Sequence, residues 1–272
     1  MIETEKITLN DGAFDVEILE RGEGAPLLYL HGVIRIDDDP LVAELARRHR
    51  VVAPLLPGFG GSTGAENLTD IHDLAIYYAE LIDRLSLDRI PLVGHSLGGM
   101  FAAELAAVAP GRISHLVLMA PFGLWDDSAP TFDFFAASPR DMAKAFYSDP
   151  NSTGAMAIAR APQEVATEVD PATSEGKAII EHLVERVKTM SSAVRYLWPI
   201  PDRGLARRLY RLTMPTLVIW GEDDGVIPPT YADLFSQSIA DAETVLLPGA
   251  AHMLNHEKSD AVAAHLEKFI TA

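Results

Sequence analysis

The chain contains no cysteine, so disulfide scaffolds, thiolate zinc sites and cysteine nucleophiles are excluded. It has no stretch approaching the ~18 uninterrupted apolar residues that a membrane span needs. Residues 1–17 mix charged and apolar side chains without the basic segment and apolar core of a secretory signal, and the expectation is a cytoplasmic protein. Basic residues are scarce: 22 Lys and Arg stand against 39 Asp and Glu, a net charge of −17. That balance disfavours nucleic acid and other polyanionic partners; a well-solvated acidic surface accounts for it, and it does not identify a substrate. Internal repeats and low-complexity tails are also lacking.

What is present fits one large α/β domain, since 272 residues suffice to bury a sizeable core. Short apolar runs at 26–30, 51–53, 90–93 and 113–119 alternate with helical patterns at 41–48, 68–85 and 100–109. Such alternation predicts βαβ units and a mostly parallel sheet. Residues 7–9 and 14–19 flank Asn10-Asp11-Gly12, a hairpin turn sequence, and predict an antiparallel edge. The alternation resumes with a strand at 215–220, a helix at 230–239, a strand at 244–247 and a closing helix at 255–270. Residues 122–213 lack strand-type runs but show helical periodicity, with Ile179, Ile180, Leu183, Val184 and Val187 on one face. The expected organisation is therefore a core of 1–121 and 214–272 with a helical cap inserted at 122–213.

Gly94-His95-Ser96-Leu97-Gly98 lies between the apolar run at 90–93 and the Ala-rich run at 100–109. This is a G-x-S-x-G nucleophile elbow in its required strand, turn and helix context. From background glycine usage the pattern alone arises by accident roughly one time in ten in a chain of this length, so its context and its partners carry the weight. A serine hydroxyl is a weak nucleophile near neutral pH and needs a base, itself oriented by a third group. Glu222-Asp223-Asp224 follows the strand at 215–220, at the carboxyl end where open α/β sheets form their crevice. His252 follows the next strand on the glycine-bearing loop Pro248-Gly249-Ala250-Ala251-His252, and its loop position favours it over His256. His95 is assigned a packing role, facing away from the nucleophile.

With these residues and Leu30-His31-Gly32, Leu56-Pro57-Gly58-Phe59-Gly60-Gly61-Ser62 and Trp220-Gly221-Glu222-Asp223-Asp224, the chain resembles a capped α/β-hydrolase over essentially its whole length. The resemblance implies a serine hydrolase with Ser96 as nucleophile, His252 as base and Asp224, rather than Asp223, as the acid. It also implies an oxyanion hole of the backbone N–H groups of Val33 and Leu97, and it requires no metal or organic cofactor. The 33–40 loop departs from the glycine-rich or aromatic versions common in the superfamily. Within that loop, Asp37 to Asp39 are assigned to solvation and to capping the helix that starts near Pro40, in preference to meeting a cationic substrate.

Phe122, Trp125, Phe134 and Phe135 are the candidate substrate-binding residues; with Phe132, Phe146 and Tyr147 they divide between a pocket wall and the cap's own core. The leading expectation is hydrolysis of a carboxylic ester, or a related acyl bond, of a small and largely apolar substrate. The nearest rival is carbon–carbon bond hydrolysis of the meta-cleavage-product type. Against it, those enzymes usually carry Asn and Met around the nucleophile and Trp after the histidine, where this chain has His95, Leu97 and Met253. A rival of another class is a ligand-binding receptor on the same fold with little turnover. Dehalogenase and epoxide hydrolase readings are weakened because those relatives attack with Asp where this chain has Ser96.

Overall fold

The computed structural model describes residues 3–34, 39–198, 200 and 204–271. Two strands open the chain, β1 (Glu3–Leu9) and β2 (Phe14–Arg21), paired antiparallel with Leu9 opposite Phe14. The hairpin starts earlier than its apolar core suggests, and its connection is a single 3-10 turn at Asn10–Gly12 rather than a two-residue turn. β3 (Ala25–Leu30), β4 (His49–Pro54), β5 (Ile90–His95), β6 (Ile113–Met119), β7 (Thr216–Gly221) and β8 (Ala242–Leu247) complete an eight-stranded sheet ordered β1-β2-β4-β3-β5-β6-β7-β8. From β4 to β8 every neighbouring pair is parallel.

Between these strands run the helices α1 (Pro40–Leu45), α2 (Ile71–Arg84) and α3 (Leu97–Val108). Between β6 and β7 come α4 (Pro139–Phe146), α5 (Thr153–Ala159), α6 (Pro162–Glu168) and α7 (Ser174–Leu197), with no strand among the described residues of that insertion. The chain ends with α8 (Tyr231–Ser238), α9 (Leu254–Glu257) and α10 (Ser259–Ile270). The closing helix expected over 255–270 is thus two helices, broken at Lys258, whose φ of −137° is not helical.

Local signals start these helices where they start. Asp39 caps α1 by accepting from Leu41 N–H at 2.9 Å, with Pro40 at the first helical position. Its neighbours Asp37 and Asp38 lie outside the described residues. Ser138 caps α4 and Thr173 caps α7 in the same way.

β3 and β5 are neighbours although β4 lies between them in the chain, so the strand order reverses there. Ligand crevices of open parallel sheets form at such a reversal, outside the carboxyl ends of the strands. The carboxyl end of β3 delivers His31, Gly32 and Val33, and that of β5 delivers Ser96. Behind them, α3 is buried at every position from 97 to 107, as a helix apolar on all sides but for one paired Glu must be. Gly98 lets it lie against β3, because a Cβ there would overlap Leu30 O. Glu104 of α3 holds Arg208, near the end of the segment between β6 and β7, by two hydrogen bonds of 2.6 and 2.5 Å.

Residues 179–187 of α7 do not share one face as their periodicity suggests. Leu183 is buried while Val184 and Val187 are exposed. The face turned inward is set by contacts with the loop after β4: Ser192 Oγ donates to Gly58 O (2.7 Å) and Tyr196 OH to Pro57 O (2.8 Å).

Candidate active site

Ser96 occupies the turn between β5 and α3 with φ 55° and ψ −116°, a conformation that non-glycine residues rarely adopt. Neighbouring strands hold it there. Its N–H donates to Met119 O at the end of β6 (2.9 Å), and its carbonyl accepts from Phe122 N–H (3.1 Å). The hydroxyl lies 2.8 Å from His252 Nε2, and His252 Nδ1 lies 2.9 Å from Asp224 Oδ2. A carboxylate only accepts, so the proton sits on Nδ1 and leaves Nε2 to accept from Ser96 Oγ–H. The other Asp224 oxygen accepts from Val226 N–H (2.8 Å) and Ile227 N–H (2.9 Å), which fixes its plane. Asp223 instead faces solvent. Ser96 is 1%, His252 0% and Asp224 6% exposed, so the array is shielded from bulk water.

The histidine loop is fixed from several directions. Ala251 N–H donates to Glu257 Oε2 (2.8 Å), Met253 N–H donates to Phe146 O (2.9 Å), and the carbonyl of His252 accepts from His95 Nε2–H (2.9 Å). His95 therefore does more than pack: it holds the backbone of the residue facing Ser96. Burial, then the nearby His252, keeps its imidazole well below the ordinary histidine pKa, and it holds the carbonyl as a neutral ring. Phe122, Phe146 and His95 surround the His252 ring at centroid distances of 6.1, 5.3 and 5.3 Å.

On the opposite side of Ser96, Gly32 passes so close that a Cβ on it would come within 3.2 Å of Ser96 Cβ. His31 shapes this segment. Leu56 N–H donates to its Nε2 (3.1 Å), so Nδ1 carries the proton and donates to Gly32 O (2.6 Å). Burial pulls the His31 pKa from the ordinary 6.5 down to about 4, against the opposing effect of the Gly32 hydrogen bond. Val33 follows at the edge of the site. Leu97 is the first residue of α3, and its N–H is one of the donors that a helix cannot satisfy internally.

A cavity of about 580 Å³, within the size range of small-molecule sites, is lined by Phe146, which packs against the His252 ring, while Ser96, His252 and Asp224 do not themselves line it. Val33, Ile34, Met142, Phe146, Ile158 and Met190 form much of its apolar wall, with Arg186, His256 and Glu257 among its polar lining. None of Phe122, Trp125, Phe134 and Phe135 lines it. Phe134 packs against Phe122, Phe135 and Phe146, and Trp125 bonds Asp127 through its indole N–H (2.8 Å). These four belong to the insertion's own packing, with Phe122 also flanking the histidine.

His256 stands apart from Ser96, beside a buried cluster in which Asp39 Oδ2 accepts from Tyr29 OH and from Asn255 Nδ2, both at 2.8 Å. Burial raises the Asp39 pKa, and His256 and its hydrogen-bond donors oppose that rise. No group of three or more His, Asp or Glu suited to a metal ion occurs among the described residues, and none of the described helices is long and apolar enough to cross a membrane.

The profile of the alpha/beta hydrolase fold family matches residues 25–259. The dihydrolipoyllysine-residue acetyltransferase component of the acetoin cleaving system of Pseudomonas putida is 30% identical over 256 residues, 91% of this chain and 64% of that protein. The chain thus spans less than two thirds of that relative's length. Among solved structures, a 2-hydroxy-6-oxo-6-phenylhexa-2,4-dienoate hydrolase from Rhodococcus matches with TM-score 0.75 and 23% identity, over the full length of both chains. The naproxen esterase of Bacillus subtilis matches with TM-score 0.72 and 20% identity, over 99% of this chain and 91% of that one. With a matching profile over most of its length, the chain belongs to the alpha/beta hydrolase fold family.

Proposed function

We propose that the protein is a serine hydrolase that cleaves a carboxylic ester, or a related acyl bond, of a small and largely apolar substrate. The observation that carries this reading is the continuous Ser96–His252–Asp224 hydrogen-bond chain, 2.8 and 2.9 Å, inside a shielded site. In this reading Ser96 Oγ attacks the carbonyl carbon while His252 Nε2 takes its proton, and Asp224 stabilises the imidazolium that forms. The N–H groups of Val33 and Leu97 meet the oxyanion. Donors of this kind contribute roughly 3 to 4 kcal/mol each in comparable sites. His252 then protonates the leaving alcohol, and in the second half-reaction it activates the water that releases the acid and restores Ser96. The insertion acts as the cap, and the 580 Å³ cavity beneath it receives the apolar part of the substrate.

Carbon–carbon bond hydrolysis is the second reading, favoured by the structural likeness to the dienoate hydrolase. His95, Leu97 and Met253 weigh against it, and the naproxen esterase shows the same fold beside an ester-cleaving name. A fluorophosphonate probe and a series of p-nitrophenyl esters test the proposal on wild type, Ser96→Ala and His252→Ala. The expected result is labelling and turnover in wild type and loss of both in each variant. A folded wild type that is neither labelled nor active on any ester overturns the catalytic reading in favour of a ligand-binding receptor.

A further inference from the structure

The insertion is built into the site at the last turn of α4. A helix leaves its final carbonyls without internal partners, and here the acid and base loops take two of them. Gly225 N–H, directly after Asp224, donates to Ala145 O (3.2 Å), and Met253 N–H, directly after His252, donates to Phe146 O (2.9 Å). A Cβ at Gly225 would lie 2.9 Å from Ala145 Cα, so glycine is what allows this approach. Ser148 donates through N and Oγ to Glu257 Oε1 (2.8 and 2.7 Å), and the second Glu257 oxygen accepts from Ala251 N–H, directly before His252 (2.8 Å). The backbone on both sides of the histidine, and on one side of the aspartate, is thus tied to Ala145, Phe146 and Ser148 of the insertion. Phe146 also lines the cavity and sets its ring edge-on to the His252 imidazole, with centroids 5.3 Å apart.

We propose that Phe146 is a positioning residue through which an apolar chain filling the cavity holds the His252 imidazole in its place against Ser96 during the reaction. The proposal rests on the serine-hydrolase reading above and adds that the substrate's remote chain is read out in kcat. A group in the cavity backs the ring from one side, the ring backs the imidazole, and the α4 carbonyls hold the acid and base loops to the same support. Contacts between the cavity and the non-reacting chain then contribute to the transition state more than to the ground state, which raises kcat rather than only lowering KM.

The test measures kcat and KM separately for p-nitrophenyl esters from acetate to decanoate, in wild type, Phe146→Leu, Phe146→Ala and Met142→Ala. Met142 lines the same cavity from one turn earlier on α4. In wild type kcat is expected to rise about tenfold or more with chain length until the cavity is full; both Phe146 variants flatten that rise to less than about threefold, whatever their turnover of the acetate. Met142→Ala raises KM for the long esters and keeps the rise in kcat. Phe146 variants that change KM alone, or a Met142→Ala that flattens kcat equally, overturn the proposal and leave Phe146 as pocket wall. If neither Phe146 variant folds, the wild-type series decides, since a flat kcat overturns the proposal and a rising one supports it. Absence of fluorophosphonate labelling at Ser96 overturns the hydrolase reading and this proposal together, whereas labelling with a flat kcat series overturns this proposal alone.

Discussion

Two helices of this molecule, α3 and α7, put their apolar residues to opposite use. In α3 every side from 97 to 107 is buried, and its glycines and alanines bring it against β3 and β5. In α7, Leu183, Ala193 and Tyr196 face inward, while Val184 and Val187 are about half exposed. The first helix follows its strand after one residue, so its surroundings are decided within a short stretch of chain. The second meets its partners, Gly58 and Pro57, across more than a hundred residues. Apolar periodicity marks a face in both cases, but only proximity in sequence says what that face will meet.

The sharpest way to probe the α3 side is Asp224→Asn, which keeps the shape of the acid and removes its control over which His252 nitrogen carries the proton. The expected loss is on the order of 10⁴-fold in kcat with unchanged secondary structure. Steady-state kinetics and circular dichroism check it, and a loss under tenfold means that another carboxylate orients His252.

Acid comes next in size. His31, beside the same helix, is held neutral with a pKa of about 4 against 6.5 in the unfolded chain. Between those two values the unfolded state binds the extra proton, so stability rises with pH there. The His31 contribution is complete above about pH 6.5 and falls by about 3 kcal/mol as pH drops to about 4. Urea titrations across this window give the slope, and His31→Gln is expected to lower it by one proton's worth. An unchanged slope would show that His31 is protonated when folded.

The smallest effect belongs to α7. Val187→Lys on its outer face is expected to stay within about 0.5 kcal/mol of wild type and to leave ester turnover unchanged. Differential scanning calorimetry measures the first. A loss above about 1.5 kcal/mol would break the contrast between the helices, because it would mean that the outer face of α7 is covered in solution.

The same contrast explains how far the sequence could be read. Ser96 was legible because strand, turn and helix are contiguous, and Asp224 and His252 because each follows a late strand in order. The structure brings these three within hydrogen-bond reach. The cavity was not legible, because its walls come from the 33–34 segment, α4, α5, α7 and α9, and no local spacing joins them. Aromatic residues clustered at 122–135 drew the pocket to themselves, yet packing against one another satisfied them. Glu257 and His95 left no signal either, since what they hold is backbone distant in the chain. No glycine or proline marks the break at Lys258, which lies inside the polar run 255–260.

The left-handed backbone at Ser96 carries one more implication, for the history of the chain rather than for its chemistry. A serine at φ 55° stores strain on the order of 1 to 3 kcal/mol, and glycine at that position would release much of it. A lineage that used this fold only to hold a ligand would gain stability by drifting to glycine at 96, with nothing to oppose the drift. Serine there gives up stability that glycine would largely return.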